Sequence, residues 1–259
     1  MITLVELNVY PLKSGSGTGL PRAVMTSKGL AHDREFMLVD GKGRFLSQRT
    51  LPRMALLTVG FDGEVLTVNE FVHKAVDEGE AREVTVHGKP CSGIDQGDEA
   101  AAYLSDFLGV GCRLMRFTGH RATGRGNGEL AFADGYPLLV ISRESLDDLN
   151  GRLPEPVPMN RFRPNLVLSG LGPYGEDGVR RLRVGEVEIE LIKPCGRCVM
   201  TTVEQTTGVK GREPLATLAG YRTRHYDGRR QAMFGQNGVP RRTGNLQIGD
   251  PVEVLEYKA

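Results

Sequence analysis

Residues 187–208 read VEIELIKPCGRCVMTTVEQTTG, and this stretch sets both the fold class and the chemistry expected of the chain. Val187 to Ile192 alternates apolar and acidic side chains with the period of two of a half-buried strand. The strand runs into Pro194, Cys195-Gly196-Arg197-Cys198 predicts a tight turn, and the β-favouring run Val199 to Val203 predicts another strand. A thioredoxin-like pair sits at a helix N-terminus, where the dipole lowers a thiol pKa, so a β-branched run after the motif speaks against it. A zinc knuckle needs a second pair of ligands, and neither Cys91 and Cys112 nor the five histidines fall at such a spacing. A pair of inert core cysteines fits poorly with a turn made of Gly196 and Arg197. The better-supported reading is a thiolate beside a fixed positive charge, which favours the ionised form. Such a thiolate is a soft ligand for a transition metal. One thiolate cannot hold a metal alone, so the metal would have to arrive on a carrier such as a dithiolene-bearing pterin with a phosphate tail.

Outward from this turn the chain keeps the same character. Strands are expected at Ile2 to Leu12, Arg34 to Val39, Arg44 to Gln48, Met54 to Gly60, Val65 to Val68, Val84 to His87, Asn165 to Ser169 and Leu182 to Val184. Asp62-Gly63 predicts a hairpin between two of them, and LQIGDPVEVLE a strand pair around Gly249-Asp250. Helices are expected over Asp98 to Leu108, with acidic residues at its start and Gly109 at its end, over Ser142 to Leu153, capped by Ser142, and over Glu213 to Tyr221. The fold class is therefore mostly β with a few helices (α+β). The loop FTGHRATGRGNGELAFADGYP places a domain boundary near residue 117, giving 1–117 and 118–259.

With 39% hydrophobic and 25% charged residues the chain has the composition of a folded protein. A net charge of +1 supplies no global field for nucleic acid or an acidic membrane. No apolar run approaches the roughly 18 residues needed to cross a bilayer, and the N-terminal stretch lacks the features of a signal peptide. A cytoplasmic protein with no nucleic-acid or membrane partner is expected. Several segments are suited to an anion: Lys13-Ser14 before SGSGTG, Asp33-Arg34, and Arg161 with Arg163 around a Pro-fixed turn. Asp134-Gly135-Tyr136-Pro137 forms a further turn ahead of an apolar run. The arginines between Arg222 and Arg242 are a candidate docking face for an acidic electron donor.

Taken in order, YPLKS, GLAHDREFMLVD, FADGYPLLVISRESLDDLN, NRFRPNLVLSG, KPCGRCVMTTVEQTTG, FGQNG and GNLQIGDPVEV resemble the MOSC family over almost the whole chain. That family includes domains that follow molybdenum-cofactor sulfurases and the amidoxime-reducing enzymes; the likeness is to the mitochondrial amidoxime-reducing component and its bacterial relatives. The resemblance implies an N-terminal β-barrel-like module packed on a MOSC β-barrel, and a molybdenum–molybdopterin cofactor (Moco). It implies Cys198 as metal ligand, with no ligand role for Cys195. Lys13, Ser14, Arg34 and Arg163 match positions that hold the pterin phosphate and ring. Gly196 and Arg197 match the loop beside the metal, and Gly135, Tyr136 and Asn237 match cofactor-lining positions. Asp134 matches an acidic position near the metal and is the candidate for handling protons. The implied activity is reduction of small N-hydroxylated compounds: amidoximes, hydroxylamines and N-hydroxylated bases. The alternative is a cofactor carrier or sulfur-transfer module. Family-level pyridoxal phosphate binding would belong to a sulfurase domain that this sequence does not contain. No ferredoxin-type cysteine spacing follows the last strands, so electrons are expected from a separate ferredoxin, flavoprotein reductase or cytochrome b5-like protein.

Overall fold

The computed structural model describes residues 1–258; Ala259, the last residue of the expected second domain, lies outside them. The fold is α+β and mostly β. A closed barrel organises the C-terminal half. Its staves run in the order Leu138–Ser142, Leu166–Ser169, Ile2–Val9, Pro251–Tyr257, Val179–Val184, Val187–Gly196 and Arg229–Arg242, and the last returns to the first through Leu138 opposite Gly238. One stave, Ile2–Val9, thus comes from the far side of the expected boundary. Inward-facing Leu4, Leu7, Val140, Leu168, Leu182, Ile189 and Leu191 fill the interior and are almost wholly buried, as the alternation in these strands requires.

The N-terminal β-barrel domain is built from a four-stranded sheet (Phe36–Val39, Arg113–Thr118, Lys89–Asp95, Ala81–Val86) and a three-stranded one (Val59–Phe61, Val65–Val68, Phe71–Lys74). Packed against these strands is a core of Leu38, Leu57, Leu66, Val68 and Leu104. Leu104 comes from helix Asp98–Leu108, which ends on Gly109 in the left-handed region (φ 69°). The Asp62-Gly63 hairpin forms because the Asp62 carboxylate accepts the N–H groups of Glu64 (2.9 Å) and Val65 (2.7 Å). Ser142 caps helix Arg143–Asn150 by accepting the Ser145 N–H at 3.1 Å.

Four expectations are corrected. Val199–Thr202 is a short 3-10 helix, not a strand. Pro52–Leu56 is likewise 3-10, and only Val59–Phe61 of that stretch pairs. Arg44 to Gln48 forms only isolated bridges. Gly244–Gln247 and Pro251–Tyr257 do not pair with each other: the first joins Arg22–Thr26, the second joins the barrel. Each stretch has β-favouring residues, but tertiary partners decide whether a strand forms.

Glu176 is fully buried beside the barrel, and both its carboxylate oxygens accept from Ser145 Oγ at 3.0 and 2.9 Å. Burial pushes its carboxyl up to about 7, and the Ser145 hydrogen bond only partly offsets this. Between its ordinary 4.5 and about 7 the folded state holds a proton that the unfolded state has released. Stability from this group is therefore full below about pH 4.5 and is lost as pH rises through about 7. The gap corresponds to roughly 3 kcal/mol. Glu176→Gln, which cannot ionise, is expected to match the parent at pH 5 and to exceed it at pH 8 by about 1–3 kcal/mol in urea melts. A variant less stable at both pH values would contradict a buried ionisable carboxyl there.

Candidate functional site

The turn bearing Cys198 is anchored on both sides. Gly196 continues the strand against Met233, and the Arg197 N–H donates to the Ala232 carbonyl at 2.7 Å. A Cβ at Gly196 would sit 1.9 Å from Gln231 Oε1, so glycine permits this close approach. Cys198 is half-buried, and its carbonyl accepts the N–H and the hydroxyl of Thr201 at 3.1 and 3.0 Å. Behind the turn, the buried Arg161 donates to the carbonyls of Thr201 (2.8 Å) and Glu213 (2.9 Å) and to the Glu204 carboxylate (2.9 Å). Arg161 is thus spent on holding the loop, and the expected two-arginine anion clamp reduces to Arg163.

Of the two thiols beside it, Arg197 faces Cys195. Arg197 Nη1 donates to Cys195 Sγ at 3.0 Å and Nη2 to the Phe162 carbonyl at 2.7 Å. Arg49, from the N-terminal domain, faces Cys198 instead. Burial works against its charge, but the Asp134 carboxylate and the Cys198 sulfur outweigh burial and hold its pKa above the ordinary value. Arg49 lies in the stretch FLSQRTLPR, which carries no motif; only the fold brings it across.

Opposite the turn is a buried cationic cluster. Lys13, Ser14 and Arg163 are buried, and Arg34 is largely so. Arg34 ion-pairs with the buried Asp33 and donates to Asn165 Oδ1 at 3.2 Å. The guanidinium groups of Arg34 and Arg163 each lie 4.2 Å from the Tyr10 ring centroid. Burial, followed by the neighbouring Arg34 charge, pulls Arg163 down to about 10. One arm of Arg163 donates to the Gly15 carbonyl, while its Nη2 is buried without a partner. Burial also lowers the Lys13 pKa, opposed by Asp134. Ser14, Arg34 and Arg163 have φ of 66°, 51° and 57°. Three side-chain-bearing residues in a left-handed backbone within one cluster mark stored strain of the kind found at functional sites.

Asp134 lies at the edge of the cleft. Its carboxylate bonds Lys13, Arg49 (3.0 Å) and His87 (3.1 Å). Burial would raise its pKa, but Lys13, the His87 hydrogen bond and Arg49 together hold it well below the usual carboxylate range. Asp134 is thus an ion-pair partner of both Lys13 and Arg49. A Cβ at Gly135 would meet nothing within 4 Å, so that position is open toward the cleft. Tyr136 is half-buried, and Lys193 Nζ lies 5.8 Å from its ring centroid. The Asn237 side chain donates to the Pro194 carbonyl at 3.3 Å, which ties it to the strand leading into the Cys198 turn.

The eleven residues to which the resemblance gives a site role all line one open cleft of about 210 Å³, joined by Arg49, Asn165, Arg161 and Thr201. Among the described residues no group of three or more His, Cys, Asp or Glu side chains gathers as a metal site. Any metal bound at Cys198 would need its remaining ligands from a carrier. The unpartnered, buried Arg163 Nη2 and its cationic neighbours are suited to the phosphate of such a carrier. The donor set therefore fits a phosphate-bearing metal cofactor.

A family model described as the MOSC N-terminal beta barrel domain matches residues 1–111, and one described as the MOSC domain matches residues 127–253. Mitochondrial amidoxime-reducing component 1 of Mus musculus is 34% identical over 98% of this chain and 82% of its own. Its Homo sapiens counterpart is 33% identical over 98% and 83%. Mitochondrial amidoxime reducing component 2 of Bos taurus is 32% identical over 96% and 82%.

Proposed function

The chain belongs to the MOSC family, and from that premise we propose that it is a molybdenum-cofactor-dependent reductase of N-hydroxylated compounds, supplied with electrons by a separate protein. The observation that carries this reading is the pairing, in one cleft, of a half-buried thiol with a buried guanidinium arm that has no protein partner. The names of the similar proteins support the substrate class.

In this reading Cys198 is the metal ligand. Lys13, Ser14, Arg34 and Arg163 hold the phosphate and pterin, with Gly135, Tyr136, Gly196, Arg197 and Asn237 lining the remainder. The cofactor, when bound, supplies a metal that accepts electrons singly and delivers them in pairs. The overall conversion takes R–NHOH, two electrons and two protons to R–NH2 and water. Asp134 stays ionised and fixes Lys13 and Arg49 in place. Arg161 keeps the Cys198 turn in register, and the open cleft lets solvent deliver the two protons. The site joins both domains, since Lys13, Ser14, Arg34 and Arg49 come from one and Cys198 and Arg163 from the other.

Protein made in a cofactor-competent host is expected to contain close to one molybdenum per chain. It should oxidise dithionite-reduced viologen when given benzamidoxime. Metal uptake with no substrate-dependent dye oxidation would favour the carrier or sulfur-transfer reading. No helix among the described residues is long and apolar enough to cross a membrane.

A further inference from the structure

We infer that the loop 206–212, together with Arg53, is the docking face for an acidic one-electron carrier protein, an inference that rests on the N-reductase reading above. The loop follows directly on the turn that bears Cys198. Val203 bridges Lys210, and the Gly211 N–H donates to the Thr202 carbonyl at 2.9 Å, so its stem is bonded to that turn. Its other side lies against the N-terminal domain. Lys210 Nζ donates to the Arg49 carbonyl at 3.0 Å, and a Cβ at Gly208 would come within 3.5 Å of the Pro52 carbonyl and 3.6 Å of Arg53 Cα. Arg49 in turn lines the same cleft as Cys198. A protein resting on this loop therefore sits against the wall of that cleft without entering it.

The make-up of the face selects its partner. Val209 is 65% exposed. Arg53, Lys210 and Arg212 are exposed, and none of them forms an ion pair among the described residues. Of the two acids flanking the loop, Glu204 is paired with Arg161 at 2.9 Å, while Glu213 accepts the Thr217 N–H at 3.0 Å. An apolar centre with unpaired cations around it is the anatomy of a transient, electrostatically steered interface, and it complements a negative surface. The arginine-rich strand singled out from the sequence is a weaker candidate. Arg222 and Arg224 share Asp177, and Arg241 is held by Glu190. Only Arg229, Arg230 and Arg242 of that set lack an ion pair among the described residues.

The test compares two electron sources for the loaded enzyme with benzamidoxime: reduced plant-type ferredoxin, an acidic [2Fe–2S] carrier, and reduced methyl viologen. The double variant Arg53→Glu/Arg212→Glu is expected to raise the KM for ferredoxin roughly tenfold and to flatten its ionic-strength dependence. Viologen-driven turnover should stay at the parent rate. The control pair Arg229→Glu/Arg230→Glu is expected to leave the ferredoxin KM within about twofold. An unchanged ferredoxin KM in the first double variant overturns the inference. So does an equal rise in the control pair, or no ferredoxin turnover in an enzyme that viologen drives. If viologen drives no turnover in the parent protein, the N-reductase reading itself has failed.

Discussion

Cys198→Ala is expected to abolish N-reduction, with a loss of roughly a thousandfold or more, and to release the molybdenum while leaving the fold intact. Three decades correspond to about 4 kcal/mol of transition-state stabilisation, a plausible share for the protein's own metal ligand. The fold should survive because the contacts that shape the turn use the backbone. Thr201 bonds the Cys198 carbonyl, and Arg161 grips the carbonyls of Thr201 and Glu213. None of these involves the sulfur. Melting is expected to shift by no more than about 1 kcal/mol. Metal analysis, turnover and a urea melt on the same preparation separate the possibilities. A variant that keeps its molybdenum and reduces benzamidoxime at the parent rate would remove Cys198 from the site.

Arg163→Met should produce effects of opposite sign on the two quantities. The cofactor-free protein holds a guanidinium that is buried, lies beside Arg34 and has one arm without a partner. A depression from 12.5 to about 10 corresponds to roughly 3 kcal/mol of cost in carrying that charge. Methionine keeps an unbranched, polarisable stem against Tyr10 and removes the charge, but strands the Gly15 carbonyl, at about 1–2 kcal/mol. The cofactor-free variant is therefore expected to be as stable as the parent, or up to about 2 kcal/mol more stable. Cofactor retention should fall by about a hundredfold, because a desolvated charge pair with phosphate contributes about 2–5 kcal/mol. Pterin content after gel filtration and urea melts read these two effects. A variant that loses stability yet retains the cofactor would show Arg163 to be structural only.

Local chemistry was legible where neighbours in sequence are also neighbours in space. The Ser142 cap, the Gly109 stop and the Asp62-Gly63 hairpin depend on residues within a few positions of one another, and each forms as read. Val199 to Val203 misled because its β-branched composition says nothing about Arg161, which arrives from forty residues upstream of Thr201 and bends the segment into a 3-10 turn. Strand Arg229–Arg242 was masked by its arginines. Its middle from Ala232 to Gln236 is buried, and Gln236 to Gly238 pair with Leu138 to Val140 to close the barrel.

The same holds within the site. Ordered motif matches drew out residues that share one cleft, because a site assembled from separate strand ends leaves a mark at each of them. Arg49 left none: its partners Asp134 and Cys198 are distant in the chain, and nothing next to it in sequence signals an ion pair. Which of its two neighbouring thiols Arg197 would face was not legible for a related reason. Adjacency in sequence does not fix the direction of a side chain, and the turn points this guanidinium back at Cys195.

The stave Ile2–Val9 has a consequence for the order in which the molecule is assembled. It lies between Leu166–Ser169 and Pro251–Tyr257, so this segment waits for two that are synthesised later. Leu7 meets Leu166, a delay on the order of ten seconds at ordinary ribosomal rates. Until then one edge of the ribbon is open and Lys13 and Ser14, immediately beyond it, have no opposite wall. Barrel closure is thus also the step that creates a place for the cofactor. The cleft is completed only when Arg229–Arg242 brings Asn237 to it, so cofactor loading waits for that stave.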